Sequence, residues 1–315
     1  MGLTHLDTFF EPDSIAVIGA SEKAGSIGRA VMENLNDGGF DGKLFAVNPN
    51  HDRLFDQRAY KRIVDTPVAP DLAVIAIPLS KVPEVVEDCG RIGVKGAVIL
   101  SAGGREAGDE GRKLEQTIQT SADKNGVRII GSNCLGIICP GNKLNASFAA
   151  HLPPEGNLAF ISQSGAICSA MLDLSLKEKM GYQYFISVGS MIDVDFGDLI
   201  DYVGNDPKVS SVLLYIESLI HFRKFMSAAR AVSRMKPIVI LKSGRSAAGA
   251  RAASSHTGSM AGDDRLYDAA FQRAGAVRVH TLGDFFDCAE LLAKQTRPTA
   301  ARLTILTNSG GPGVM

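Results

Sequence analysis

The chain has 315 residues, enough for two domains that each bury a core. Apolar residues make up 45% and charged residues 21%, and the formal net charge is −1, so no global field calls for nucleic acid or an acidic membrane surface. No apolar run reaches the length of a bilayer span, and Met1 to Phe10 lacks the order of a secretory signal. The five cysteines (Cys89, Cys134, Cys139, Cys168, Cys288) are scattered, with no close C-x-x-C pair. This predicts a reducing cytoplasm, with neither a disulfide framework nor a zinc site.

Strand and helix signals alternate from the start. Apolar runs predict strands at Ser14 to Gly19, Lys43 to Asn48, Leu72 to Ile77, Gly96 to Ser101 and Val127 to Gly131. Helical periodicity fills Ser26 to Asn36, Lys81 to Arg91 and Asp109 to Asn125. Continuously apolar strands between helices indicate a parallel sheet covered on both faces, a doubly wound, Rossmann-like domain. The polar, proline-bearing stretch His151 to Gly156 reads as a boundary, giving a first domain over 1–150. Beyond it, strands are expected at Asn157 to Ile161, Gln183 to Val188, Ser211 to Glu217 and Pro237 to Lys242. Helices are expected at Ala166 to Lys179, Asp198 to Val203, Phe222 to Met235, Asp263 to Gly275 and Leu282 to Leu292. This second α/β unit, 151–294, looks flavodoxin-like, although its strand order is not legible. After the linker Lys294 to Ala301, Arg302 to Thr307 and the turn Asn308 to Gly313 are expected to open a third α/β domain, 301–315, cut off before its helix. A strand added to the second sheet is the other reading.

The loop Gly19-Ala20-Ser21…Ser26-Ile27-Gly28 joins a strand to a helix. There, backbone N–H groups and a helix N-terminus favour a diphosphate. The glycine spacing is weak evidence alone, and a turn without a ligand is the bland alternative. The second strand ends in Val47-Asn48-Pro49-Asn50. No acid stands there to hold a ribose 2′-hydroxyl, so an NAD site is disfavoured and another adenosine-diphosphate ligand is favoured. Coenzyme A carries a diphosphate and a 3′-phosphate that a carboxylate would repel. Ile77-Pro78, Ser101-Ala-Gly-Gly104 and Gly131-Ser-Asn133-Cys134 end the later strands at the same ligand-bearing edge, or are ordinary loops.

His256 sits among small residues in Ser254-Ser-His256-Thr-Gly-Ser-Met-Ala-Gly262, where its ring would be accessible. A neutral imidazole attacks phosphoryl groups, although a surface histidine is the equal alternative. Ser162-Gln-Ser164-Gly165-Ala166, between a strand and a helix, suits a phosphate. Glu217, at a strand's carboxyl end, could hold an imidazole Nδ1–H and leave Nε2 to react. His5, His51, His151, His221 and His280 show no metal-ligand spacing, and no metal site is expected within the chain.

Taken in order, V-I-G-A-S, V-N-P, I-P-L, S-A-G, G-S-N-C-L-G, I-S-Q-S-G-A, S-V-G, Y-I-E and S-S-H-T-G-S-M-A-G resemble the NDP-forming acyl-CoA synthetases, relatives of the succinyl-CoA synthetase α chain. The resemblance covers essentially the whole chain. It implies a Rossmann-like CoA-binding domain followed by a succinyl-CoA-synthetase-type ligase domain. It implies that acyl-CoA and phosphate give an acyl-phosphate and CoA, and that His256 relays the phosphoryl group to ADP. Glu217 would orient His256, and Ser162, Ser164, Gly165 and Ala166 would hold the phosphoryl group. Gly19, Ala20, Ser21, Ser26, Ile27 and Gly28 match the CoA-diphosphate loop, with Val47, Asn48, Pro49, Ile77, Pro78, Ser101 and Asn133 around the rest of CoA. ATP or ADP and Mg2+ are expected on an ATP-grasp domain, fused downstream or a separate partner. A carboxylic acid or acyl-CoA is the expected substrate, in a homo- or hetero-oligomer. Ser218, Ser132 and Asn50 depart from the glycine, proline and lysine that the family often has there. Two alternatives stand beside the ligase: a regulatory synthetase-like module of a protein-lysine acetyltransferase, and a non-catalytic CoA- or redox-sensing module.

Overall fold

The computed structural model describes residues 4–245 and 263–296, together with 300, 302 and 304–314. The first half is built on seven strands: β1 (Ser14–Ile18), β2 (Lys43–Val47), β3 (Arg53–Leu54), β4 (Gln57–Tyr60), β5 (Leu72–Ile75), β6 (Gly96–Ile99) and β7 (Arg128–Gly131). Their spatial order is β3-β4-β2-β1-β5-β6-β7. All neighbours run parallel except β3, which forms a small hairpin with β4. Setting β3 aside, the order is the 3-2-1-4-5-6 of a Rossmann sheet. β1, β5, β6 and β7 are buried along their whole length, which is why they read as unbroken apolar runs.

Helices α1 (Asp7–Phe10) and α2 (Ile27–Asp37) cover one face of this sheet, and α3 (Val82–Ile92) and α4 (Asp109–Asn125) the other. Ser26 caps α2 by accepting from the Arg29 N–H. α3 and α4 end on left-handed glycines, Gly93 and Gly126, whose φ of 94° and 67° suits glycine.

The second sheet contains β8 (Gly136–Cys139), β9 (Leu144–Ser147), β10 (Glu155–Ser162), β11 (Tyr182–Ser187), β12 (Ser211–Ile216), β13 (Ile238–Lys242) and β14 (Val277–Val279). Their order is β14-β13-β12-β10-β11-β8-β9. The parallel part follows the 2-1-3-4-5 flavodoxin order that the sequence could not supply. β8 runs antiparallel to β11, and β9 antiparallel to β8. These two strands lie N-terminal to the expected boundary at 150, so the second sheet takes its edge from chain ahead of it.

α5 (Gly165–Glu178) and α9 (Leu282–Lys294) pack on one face of the second sheet. α6 (Phe196–Asn205), α7 (Phe222–Val232) and α8 (Asp264–Ala274) pack on the other. One buried cluster runs without a break from Phe9, Val17 and Met32 of the first half to Ile186, Leu199 and Phe225 of the second. The halves therefore share an apolar seam. Backbone bonds reinforce it: Ser190 N–H to Ser132 O at 2.8 Å, Ile192 to Gly131 at 3.0 Å and Val194 to Ile129 at 3.0 Å. A buried ionic group lies beside them. Arg128, 2% exposed, pairs with Asp193 at 2.8 Å and Asp198 at 3.6 Å. Lys224 approaches Asp198 as well. Burial raises the Asp198 carboxyl, with Lys224 opposing that shift.

The strand expected over Arg302–Thr307 is not formed at 304–307, where Ile305 and Leu306 stand 61% and 98% exposed. A lone strand has no ladder to join, and only the short helix α10 (Gly310–Gly313) follows.

Candidate functional site

Both sheets change winding direction at one point, and open α/β folds bind ligands just beyond such points. In the first sheet that point lies between β1 and β5. Gly19 leaves β1 with φ +91°, and a Cβ there would stand 2.4 Å from the Ala76 carbonyl oxygen. A Cβ on Gly28, at the start of α2, would stand 1.9 Å from the Gly19 oxygen. Two glycines thus let the loop fold flat against its own helix. Ser21 Oγ accepts from Lys23 N–H, and Asn48 Nδ2 donates to Ala20 O at 2.8 Å, tying the tip of β2 to the same loop. Ile27 stands partly exposed at the front of α2.

Beside this loop opens a cleft of about 440 Å³. Of the expected CoA residues, Gly19, Val47, Asn48, Pro49, Ile77 and Pro78 line it. Ala20, Ser21, Ser26, Ile27 and Gly28 form the loop and helix start next to it. Ser101 lies underneath, its hydroxyl donating to Ile77 O. Asn133 is not in this cleft. Sequence reasoning missed the basic residues there: Lys61, Arg62 and Lys81. Arg62 is held by Asp88 at 2.7 Å and Lys61 by Asp52 at 2.7 Å. The cluster Lys61-Arg62 was visible in the sequence, but nothing placed it beside the glycine loop until β3 and β4 turned the chain back. The same lining carries two carboxylates, Glu84 and Asp88, both paired with Arg62, so the cleft keeps a net positive charge that suits a ligand with phosphates.

The second winding point lies between β10 and β12. The register Ser162↔Tyr215 puts Gln163 next to the end of β12. Gln163 Oε1 accepts from the Glu217 N–H at 2.6 Å and the Ser218 N–H at 2.9 Å, which fixes the backbone of Glu217. Gln163 lies inside the I-S-Q-S-G-A motif but was given no role in the sequence.

Ser162, Ser164, Gly165 and Ala166 come together at the N-terminus of α5. Ser162 is fully buried; its Oγ accepts from Ser164 N–H at 3.1 Å and donates to Ser164 O at 3.0 Å, so it shapes the turn. Ser164 is the N-cap residue, yet its side chain makes no capping bond. A Cβ on Gly165 would meet nothing within 4 Å. Among the described residues no side chain caps this end, so the first N–H groups of a 14-residue helix, which have no intrahelical partner, are available to an anion stabilised by the helix dipole.

Between the halves lies a small cleft of about 40 Å³, lined by Arg105, Glu106, Asn133, Gln163, Ser190 and Glu217 among others. Glu217 and Asn133, expected to serve different ligands, meet here. His256 lies outside the described residues. Among the described residues no group of His, Cys, Asp and Glu could hold a metal ion, and no helix is long and apolar enough to cross a membrane. All five cysteines are free, and burial pushes the thiols of Cys89, Cys134 and Cys168 up to about 12. Such thiols stay protonated at neutral pH.

A Rossmann half with a cleft bearing cations shares a core with a flavodoxin-like half whose helix start carries no side-chain cap, the plan of a CoA-binding domain joined to a succinyl-CoA-ligase-like domain. Residues 13–140 match the family described as CoA binding domain, and residues 155–292 the succinyl-CoA ligase like flavodoxin domain. The chain is 43% identical to the acetate–CoA ligase [ADP-forming] I subunit alpha of Pyrococcus furiosus, covering 98% of this chain and 68% of that one. It is 42% identical to the acetate–CoA ligase [ADP-forming] I of Archaeoglobus fulgidus, covering 98% of this chain but 45% of that protein. A solved structure of a dinucleotide-forming acetyl-coenzyme A synthetase 1 from Ca. Korarchaeum cryptofilum, in complex with phosphate and ADP, superposes with a TM-score of 0.93 at 39% identity, covering 98% of this chain and 67% of that one. The chain belongs to the ADP-forming acetate–CoA ligase family, within the acyl-CoA synthetases related to succinyl-CoA ligase. It spans about two thirds of the subunit relative and less than half of the longer one.

Proposed function

We propose that this chain is the CoA-binding and phosphoryl-carrying part of an ADP-forming acyl-CoA synthetase, interconverting acyl-CoA, phosphate and ADP with a carboxylic acid, CoA and ATP. The observation that carries the reading is that each half, across a shared core, has a winding point of its own. One has a cationic cleft suited to CoA, and the other an uncapped helix N-terminus beside Glu217. CoA enters with its phosphates on the Gly19 loop and near Lys61, Arg62 and Lys81. Phosphate cleaves the thioester to an acyl-phosphate. His256 attacks that phosphorus and releases the carboxylic acid, and the N-terminus of α5 balances the phosphoryl charge. Glu217 accepts the other ring N–H of His256 and sets its tautomer.

The nucleotide and its Mg2+ belong to an ATP-grasp partner, separate or fused, which receives the phosphoryl group. The whole works in the cytoplasm, consistent with free, buried thiols. We assign residues 1–150 to the CoA half, apart from β8 and β9, which complete the sheet of the ligase half, 151–294 to the ligase half, and 301–315 to the start of a third α/β unit in which Ile305 and Leu306 are covered. No observation favours a regulatory or purely sensory module.

The test is phosphorylation of the complete enzyme by γ-labelled ATP. Acid-labile, base-stable label that disappears in His256→Ala supports the assignment. Label that persists in that variant overturns it.

A further inference from the structure

The turn that follows β6 carries a residue that the proposed reaction has not yet used. Arg105–Ala107 forms a short turn at the edge of the first sheet, packed against α4. Arg105 Nε is fixed to the buried Glu115 at 2.8 Å, and Glu115 also accepts from the Ser132 hydroxyl at 2.9 Å. On this braced turn, Glu106 Oε1 accepts from the N–H groups of Gly103 and Gly104, at 2.7 and 3.2 Å. Its other oxygen, Oε2, is buried and has no hydrogen-bond partner among the described residues. Glu106 lines the same small cleft as Asn133, Gln163 and Glu217. A buried carboxylate oxygen left unpaired is costly, so a donor arriving with the substrate gains an acceptor already in place.

The position fits one donor. β1 and β7 are three strands apart in the sheet order, a distance of about 14 Å at ordinary strand spacing. A pantetheine arm running along the sheet edge from the Gly19 loop brings its terminal thiol to the tips of β6 and β7. The cleft there, about 40 Å³, has room for the tip of a substrate and not for a whole one.

We propose that Glu106 Oε2 accepts the thiol proton of CoA during acyl transfer, an inference that rests on the ligase reading above. As the S–H bond breaks toward Glu106, the sulfur lone pair forms the new C–S bond to the acyl-phosphate carbonyl. The C–O bond to phosphorus then breaks, and inorganic phosphate leaves with its electron pair. The proton on Glu106 returns to solvent, and in reverse Glu106 protonates the departing thiolate. Glu106 is then a catalytic residue supplied by the CoA half to a centre whose other members come from the ligase half.

Glu106→Gln tests this with little perturbation, because the amide oxygen still accepts from Gly103 and Gly104 while Oε2 becomes a donor. Acetyl phosphate serves as probe for two half-reactions of the complete enzyme. With CoA it yields acetyl-CoA and phosphate; without CoA it phosphorylates the enzyme and never involves the thiol. The thiol-dependent half should slow about 100-fold near neutral pH and recover as rising pH forms thiolate. Phosphorylation should stay within a few-fold of the parent, and CoA binding by calorimetry likewise. Equal slowing of both halves, or an unchanged thiol-dependent half, overturns the proposal and leaves Glu106 a brace for its turn. A parent enzyme that binds no CoA overturns the ligase reading and this inference together.

Discussion

The two winding points use the same local device and finish it differently. Each places a small-residue turn between a strand and the N-terminus of a helix. At the first, the turn satisfies itself: Ser26 caps α2, Asn48 ties down Ala20, and Gly28 lies against Gly19 with no space for a methyl group. At the second, the hydroxyl of Ser162 is engaged, Ser164 does not cap, and a Cβ on Gly165 would meet no atom of the described residues within 4 Å. A turn whose bonds are already made is rigid and binds by shape, letting a diphosphate approach its backbone. A helix start left without a side-chain cap binds by charge, which suits a phosphoryl group that comes and goes within one turnover.

Matched substitutions at the two turns sharpen this contrast. The largest effect is expected from Gly28→Ala, whose Cβ would fall 1.9 Å from a backbone oxygen. Overpacking should cost about 3 kcal/mol, read as a lower denaturation midpoint, with CoA affinity falling alongside. A smaller loss, about 1 kcal/mol, is expected for Ser26→Ala, which removes the cap of α2. The smallest effects belong to Ser164→Ala and Gly165→Ala, where no side-chain bond is lost and no atom is struck. Each should move stability by less than about 0.5 kcal/mol in the same denaturant titration. Should Gly165→Ala prove as damaging as Gly28→Ala, the contrast between a closed and an open turn is wrong.

Much of this was legible in the residues, for a physical reason. The strands buried on both faces announced themselves as apolar runs, and β1, β5, β6, β10, β12 and β13 lie where Ile, Val and Leu cluster. The turns at Gly19, Ser162 and Glu217 follow from strand endings. What escaped were short elements at or next to a sheet edge. β3 has two residues, β14 has three, and β8 and β9 have four each, and they exist because a sheet edge is there to receive them. The same holds for the site. Asn133 was expected around CoA, but it lies in the cleft between the halves, because which cleft it enters depends on how segment 190–194 ties β7 to the second half. Glu106 offered no signal at all in the sequence, because an orphaned oxygen is a property of its surroundings.

β8 and β9 also constrain how such a chain can be divided. They precede residue 150, yet they complete the sheet that follows it. A gene cut between 150 and 151 would hand those strands to the wrong product. The downstream piece would display β11 as a raw edge, a template for pairing with another copy of itself. The upstream piece would carry a hairpin with Ile137, Ile138 and Leu144 stripped of their cover. Splitting or fusing this protein without loss therefore requires a junction elsewhere, because the two α/β halves, so alike in plan, share a sheet edge and a core.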